Sequence, residues 1–183
     1  DDPELRVITP GVAEQSSVNV VPHKWGALNA AMEVATERNE IFLLQTGNDK
    51  TTLSAVGLSE VRKQRVFSGI IWEAAWDAEE DDLWLGSMTD DCVFRVQPET
   101  LDSECIEIPN GVREIMPLGE GWIAFADYLR AKVYLFDGQE VQRTIDVGRK
   151  PEAMAVGPVS GALYVLSDAG LTRIENPRSP AAP

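Results

Sequence analysis

The stretch Pro151-Glu152-Ala153-Met154-Ala155-Val156-Gly157, followed by Gly161-Ala162-Leu163-Tyr164-Val165-Leu166-Ser167-Asp168, decides the fold of this chain. It has the pattern of an apolar strand, a tight turn and a second apolar strand that ends in a small polar loop. Three earlier segments resemble the second strand. With Leu163-Tyr164-Val165-Leu166 they recur at spacings of 42, 39 and 41 residues, and they are Ile41-Phe42-Leu43-Leu44, Leu83-Trp84-Leu85-Gly86 and Trp122-Ile123-Ala124-Phe125.

A repeat of about forty residues with about four short strands in each unit is typical of a β-propeller. We therefore predict an all-β chain in which residues 1–175 form one propeller domain of about four four-stranded blades. Residues 176–183 contain three prolines and are predicted to be a tail. The segment 27–38 has the composition of a short helix, but its alignment with the other repeats favours a strand.

The two ends of the chain suggest how the ring closes. Leu5–Ile8 and Val18–Val21 have the pattern of the third and fourth strands of a blade whose first two strands are missing, while the last repeat lacks an outer strand. Strands from both termini are therefore predicted to complete one blade, which would protect two sheet edges. The alternative is a partial or half propeller, for which a homodimer would complete the ring.

Residues 133–137, 143–156 and 161–165 together are similar to the YVTN-type repeat of the YVTN/NHL β-propellers. The shared features are a strand ending in Asp, a Thr-Ile-x-Val-Gly strand, a Pro-containing turn into the inner strand and a Leu-Tyr-Val strand. Ala153 stands where that family usually has glycine. The resemblance implies a propeller and often an exported protein, so a periplasmic or secreted location is expected, with the cytoplasm as the alternative. It implies no particular reaction.

Composition excludes several classes of function. Thirty acidic against sixteen basic residues give a net charge of −14, which repels nucleic acids and anionic membrane surfaces. No apolar run approaches the roughly twenty residues of a membrane-spanning helix. The single histidine, His23, makes histidine-rich metal sites and Ser-His-Asp triads hard to build, and without an identifiable partner it is expected to be inert.

The inner strands of the predicted blades carry the strongest candidate site. Their alignment places Asn29, Glu73, Glu114 and Glu152 at equivalent positions around one channel. Three converging carboxylates repel each other unless a basic group or a divalent cation such as calcium lies between them. We predict a cation or ligand site there; the alternative is that these are separately solvated rim residues.

Two further groups are predicted to lie at the mouth of the channel. Trp25 and Trp72 precede inner strands, so their rings are candidates for stacking on a ligand or partner. Asp127 and Asp168 follow second strands and would extend the negative charge outward. The alternative for these aspartates is turn formation, since Asp commonly accepts hydrogen bonds from its own loop.

Cys92 and Cys105 flank a predicted hairpin turn at residues 97–100. Symmetric pairing about that turn would place them opposite each other and predicts a disulfide, hence an oxidising compartment. A register that pairs Phe94 with Ile106 would instead put them on opposite faces.

Two functional hypotheses follow. The first, which we favour, is a non-catalytic binding or scaffold module that presents an acidic face to a partner protein, as a subunit of an exported complex. The alternative is a lyase or hydrolase that holds a divalent metal at the channel mouth.

Overall fold

The computed structural model describes residues 4–7, 16–19, 29–57 and 60–179. These residues form strands and one short 3-10 helix, Thr36–Arg38, and no helix in these ranges is long and apolar enough to cross a membrane. The strands are β1 (Glu4–Val7), β2 (Ser16–Asn19), β3 (Asn29–Ala35), β4 (Glu40–Thr46), β5 (Lys50–Val56), β6 (Val61–Ser68), β7 (Ile71–Asp77), β8 (Asp82–Ser87), β9 (Val93–Val96), β10 (Ser103–Ile106), β11 (Val112–Gly119), β12 (Trp122–Asp127), β13 (Lys132–Phe136), β14 (Val141–Asp146), β15 (Ala153–Val156), β16 (Leu163–Ser167) and β17 (Gly170–Ile174).

The strands form consecutive antiparallel sheets, each made of neighbours in sequence. Three sheets have four strands (β3–β6, β7–β10 and β11–β14) and one has three (β15–β17); in this order they are called the first to the fourth sheet, and the fourth is the last. In addition, β1 pairs with β2. The all-β prediction is confirmed, and the segment that could have been a helix contains β3. Each later sheet packs its first strand beside the first strand of the sheet before it, so β3, β7, β11 and β15 are the inner strands.

The predicted closure by strands from both termini is not found among the strands that the structure describes. Here β1 forms a ladder with β2 alone, and β17 forms one with β16 alone. The described sheets are therefore an open series, which corresponds to the partial propeller that was the alternative prediction.

Side chains of the second strands alternate between the two neighbouring sheets, as the two-residue period of a strand requires. Leu83 and Leu85 share a buried cluster with Phe42 and Leu44 of the sheet before them. Trp84 points to the other side and shares a cluster with the sheet after it. The core is thus a series of apolar layers between sheets.

The same layers correct one part of the predicted repeat. Ile123 and Phe125 pack against the second sheet, whereas Ala124 packs against the fourth. The residue that corresponds to Leu83 is therefore Ile123 and not Trp122. With this correction the spacings between Ile41, Leu83, Ile123 and Leu163 become 42, 40 and 40 residues.

Aromatic side chains fill the first two layers. Trp84 is buried, with its ring centroid 5.7 Å from that of Phe125 and 5.9 Å from that of Phe136. Trp76 stacks on Phe42 at 5.5 Å. Trp84 is thus part of the core, and the half-buried Trp76 packs against it.

A disulfide joins Cys92 and Cys105, whose Cα atoms are 5.4 Å apart. The β9–β10 ladder pairs Cys105 with Phe94, so the register is shifted by two residues from symmetric pairing. A shift of two keeps both cysteines on one face, whereas a shift by an odd number would have separated them. The bridge is consequently diagonal across the hairpin.

Candidate functional site

Three glutamates from successive inner strands come together in the structure: Glu33 on β3, Glu73 on β7 and Glu114 on β11. All three are half-buried. Glu73 lies opposite Gly86 and Glu114 lies opposite Ala126, the next-to-last residues of their partner strands. Glu73 and Glu114 are two of the residues predicted to share one level of the channel, whereas Glu33 was not predicted and lies opposite Phe42, further along its strand.

Two of these carboxylates reach across to the next sheet. The Glu33 carboxylate accepts a hydrogen bond from the backbone N–H of Trp76 at 3.3 Å. The Glu114 carboxylate accepts one from the backbone N–H of Met154 at 3.5 Å. Both bonds join consecutive inner strands, so these carboxylates help to hold neighbouring sheets at a fixed distance.

Close approach of the second and third sheets brings Glu73 and Glu114 together. Gly86 permits this approach, because a Cβ atom at that position would lie 2.9 Å from the backbone oxygen of Val112. Any larger residue would push β11 away from β8. A glycine in the second strand thus sets the spacing of two carboxylates on the first strands.

The electrostatic consequence is a set of carboxyl groups that resist ionisation. Burial, followed by the charges of Glu114 and Glu33, raises the pKa of Glu73 to about 7. Burial also raises the pKa of Glu33 and of Glu114, although the hydrogen bonds from Trp76 and Met154 oppose that rise. Near neutral pH the site therefore gains stability from a proton or from any cationic group that enters it.

A stacked arginine lies beside the carboxylates. The ladders of β7 and β11 each contain a register shift, in which Trp72 and Arg113 are the extra residues. Such bulges re-aim side chains. The Arg113 guanidinium lies 5.4 Å from the Trp72 ring centroid and 4.7 Å from that of Tyr128. Its charge lowers the pKa of Glu73 and of Glu114, but not enough to cancel their rise.

The ladder corrects the predicted equivalence at the fourth inner strand. Ala153 lies opposite Leu166, the next-to-last residue of β16, and thus corresponds to Glu73 and Glu114. Glu152 precedes it, is exposed, and donates its backbone N–H to the Leu166 carbonyl at 2.9 Å. The fourth sheet therefore has an alanine at this level of the channel. In the first sheet the corresponding register position is Ala30, opposite Gln45, and Glu33 lies three residues further along β3, opposite Phe42. Asn29 pairs with Thr46 in the ladder.

The described part of the chain contains no group of three or more His, Cys, Asp or Glu side chains arranged to hold a metal ion.

The two aspartates predicted at the mouth differ from each other. Asp127 is fully buried and its carboxylate is used within its own turn, so a structural role replaces the expected contact with a partner. Asp168 lies in the loop after β16, where its carboxylate is 3.3 Å from the guanidinium of Arg149. His23 and Trp25 lie outside the described residues.

Glu33 was missed because it does not occupy the repeat position of Glu73 and Glu114: it lies opposite Phe42, further along its strand. Arg113 and Tyr128 were missed because stacking between neighbouring sheets has no signal within one strand.

A cavity of about 380 Å³ lies apart from this site, on β8–β10. It is lined by Asp82, Arg95, Gln97, Asp102, Ser103 and Glu104, and the charges of Asp82 and Arg95 already pair there.

No family model and no curated protein matches this sequence. Solved structures do match. The β-propeller domain of Cps50 (Swd1) from Myceliophteria thermophila superposes with a TM-score of 0.67 at 14% identity, over 94% of this chain and 63% of that one. The fold is a β-propeller. The WD40 β-propeller domain of Doa1 (TM-score 0.64, 18% identity) covers 87% of this chain and 56% of its own.

A third match is BBS1N, solved in complex with ARL6DN (TM-score 0.62, 12% identity), which covers 94% of this chain and 57% of that one. This propeller thus spans about three-fifths of the length of these solved relatives in fold. Identities this low show the architecture and leave activity and partners open.

The pKa of Glu73 predicts a pH dependence of stability. Its ordinary value is 4.5 and its folded value is about 7. Below pH 4.5 the group is protonated in both states and costs nothing; above pH 7 it is ionised in both, and the folded state bears the cost of the buried charge. Relative to wild type, Glu73→Gln should therefore gain stability as pH rises from 5 to 8, by on the order of 2 kcal/mol after allowance for screening.

Urea unfolding at several pH values from 5 to 8 measures this difference. The matched control is Glu80→Gln, because Glu80 is exposed in the turn at the opposite end of β7 and loses the same charge. The control should follow wild type at every pH. A stability difference between Glu73→Gln and wild type that does not change with pH would contradict the raised pKa.

Proposed function

We propose that this domain is a non-catalytic protein-binding module whose channel mouth receives a basic segment of a partner protein. The observation that carries the proposal is the convergence of Glu33, Glu73 and Glu114 on adjacent inner strands, where each has a raised pKa. A lysine or arginine side chain placed among them would relieve their repulsion. Because rigid strands hold the carboxylates in place, binding would require little ordering of the domain.

Aromatic groups at the same mouth suit such a partner. Trp72 and Tyr128 already stack on the guanidinium of Arg113. Their contact with Arg113 supports the proposal that these rings also bind a cationic side chain of a partner, which would compete with Arg113 for a contact worth about 0.5–2 kcal/mol. The net charge of −14 would also accelerate encounter with a basic partner.

We further propose that the domain works outside the cytoplasm, as a subunit of an exported complex. Two observations support this location. The disulfide between Cys92 and Cys105 is of a kind that persists in oxidising compartments. The YVTN-type pattern of residues 133–165 is the second, since that repeat often occurs in exported proteins.

Binding of an oligolysine peptide, measured by calorimetry at low salt, tests the proposed mouth. Affinity should be higher at pH 8 than at pH 6, because ionisation of Glu73 increases the negative charge over that range. Glu73→Gln should lose this pH dependence, and Glu73→Gln/Glu114→Gln should bind about tenfold more weakly. Glu80→Gln, which removes a distant exposed charge, should behave as wild type. Equal weakening by Glu80→Gln would show that only net charge matters and would overturn the proposal.

Thermal unfolding of the same protein with and without metal ions distinguishes the binding module from the alternative, a metal-dependent lyase or hydrolase. Calcium, magnesium and EDTA should leave thermal unfolding unchanged if the mouth binds a basic segment. Stabilisation by calcium that disappears in Glu114→Gln would instead favour the metal site.

A further inference from the structure

The first sheet has one apolar face that no other described sheet covers. Ile41 and Leu43 are half-buried on this face and form a small cluster with Val56 and Val61 of their own sheet. On the same face Met32 lies opposite Leu43 and Val34 lies opposite Ile41, and both side chains are 51% exposed. Val66 extends the face along β6.

The last sheet has a second apolar face of this kind. Met154, Leu163 and Val165 point toward β11–β14 and are buried. The opposite face carries Leu166, which is 49% exposed, and Leu171, which lies opposite it and is 67% exposed. Exposed apolar faces of this kind mark interaction surfaces in soluble proteins.

The two free faces are complementary, because one is the kind that packs on a preceding sheet and the other is the kind that packs on a following sheet. At the first junction of the series, Leu83 and Leu85 face the preceding sheet; at the second, Trp84 faces the following one, and all three are at most 2% exposed. By the same alternation, Ile41 and Leu43 belong to the face that receives a preceding sheet. Tyr164 and Leu166 belong to the face that receives a following sheet. Among the described sheets, none covers the receiving face of the first sheet or the following face of the last sheet, so in a second copy each supplies the type of face that the other accepts.

We propose that the free face of β3–β6 in one copy packs on the free face of β15–β17 in a second copy, so that two copies close one ring of eight sheets. A two-fold axis along the channel makes the two new junctions identical, and both repeat the packing already present between sheets within the chain. Propellers typically contain about four to eight blades, so the ring stays within the usual range. This inference rests on the apolar faces and not on the carboxylate mouth.

Sedimentation equilibrium of the full chain tests the ring. The expected mass is twice 20.1 kDa at all but the lowest concentrations. Val34→Glu and Leu166→Glu should each be monomeric. Either substitution is present in both copies, so it places a buried charge in both junctions of the ring. The control is Val159→Glu, since Val159 is 99% exposed in the loop between β15 and β16 and lies on neither face. Circular dichroism and thermal unfolding verify that each variant is folded.

Mixing the two monomeric variants distinguishes this arrangement from a symmetric contact of one face with itself. Val34→Glu keeps an intact last face and Leu166→Glu keeps an intact first face, so an equimolar mixture should form a weaker heterodimer through one intact junction. A wild-type monomer would overturn the proposal, as would dissociation by only one of the two variants. A mass that keeps growing with concentration would replace the closed ring by an open chain of copies.

Discussion

Replacing Cys92 and Cys105 by serine is expected to lower the free energy of unfolding by about 3 kcal/mol, the value for a bridge that closes a loop of roughly fifteen residues. The two cysteines are 13 residues apart: Cys92 directly precedes β9 and Cys105 lies in β10, so the bridge joins the two outer strands of the second sheet. The loss arises mainly because the open chain gains conformational freedom in the unfolded state.

The hairpin between these strands also contributes to the core. Leu101 in its turn is 2% exposed and packs in the layer between the first and second sheets. Its carbonyl accepts a hydrogen bond from Arg65 at 2.6 Å. A hairpin that frays without its disulfide would loosen this layer, so the loss of stability should not be smaller than the value for loop closure alone.

Urea unfolding of the double serine variant and of wild type measures the effect. Treatment with a phosphine reductant should bring wild type to the level of the variant and leave the variant unchanged. Equal stability of the oxidised wild type and the variant would show that the outer hairpin is held by its ladder alone.

The fold was predictable because each repeat carries its own two-residue alternation of apolar side chains. Leu83, Leu85, Leu163 and Val165 each face the preceding sheet, and a period near forty residues brings them into equivalent layers. How the ring closes was not predictable in the same way. Strands as short as β1, with four residues, and β17, with five, contain too few alternating positions to specify which edge they pair with.

The candidate site was predicted in part. Glu73 and Glu114 were aligned correctly because both follow a bulged residue, Trp72 and Arg113, at the same place in their strands. The ladder of β15 shows no such shift, and Ala153 rather than Glu152 takes the corresponding place. A single extra residue reverses which face a side chain occupies, and nothing in the sequence distinguishes a strand that contains one.

Asp127 shows the same limit, because a turn residue that follows a strand can be either exposed or buried. It was predicted at the mouth on account of its charge. In the structure its Oδ1 atom accepts hydrogen bonds from the backbone N–H groups of Leu129 at 2.9 Å and Arg130 at 2.8 Å. Its Oδ2 atom accepts one from the Tyr134 hydroxyl at 3.1 Å and pairs with the Arg130 guanidinium at 3.3 Å.

Asp127→Ala is therefore expected to lower the free energy of unfolding by about 2–4 kcal/mol, because it removes a buried charged acceptor of several hydrogen bonds, while the guanidinium of Arg130, which is 40% exposed, stays in contact with water. The Tyr134 hydroxyl would lose its acceptor in the layer between the second and third sheets. In wild type, burial and the charge of Asp127 raise the pKa of Tyr134 to about 12. In the variant the charge of Asp127 is gone but burial still opposes ionisation, so the hydroxyl remains a donor at neutral pH and is left without this acceptor.

The matched control is Asp137→Ala. The Oδ1 atom of Asp137 accepts backbone hydrogen bonds from Gln139 and Glu140, both at 2.9 Å, so the turn has the same form. Those bonds lie at the surface, where water replaces the lost acceptor, and the expected loss is about 1 kcal/mol. Urea unfolding of the two variants at pH 7 measures the loss of stability when the same kind of aspartate turn is disrupted in a buried position and in an exposed one. Similar losses would mean that the buried contacts of Asp127 to Tyr134 and Arg130 add nothing to the turn itself.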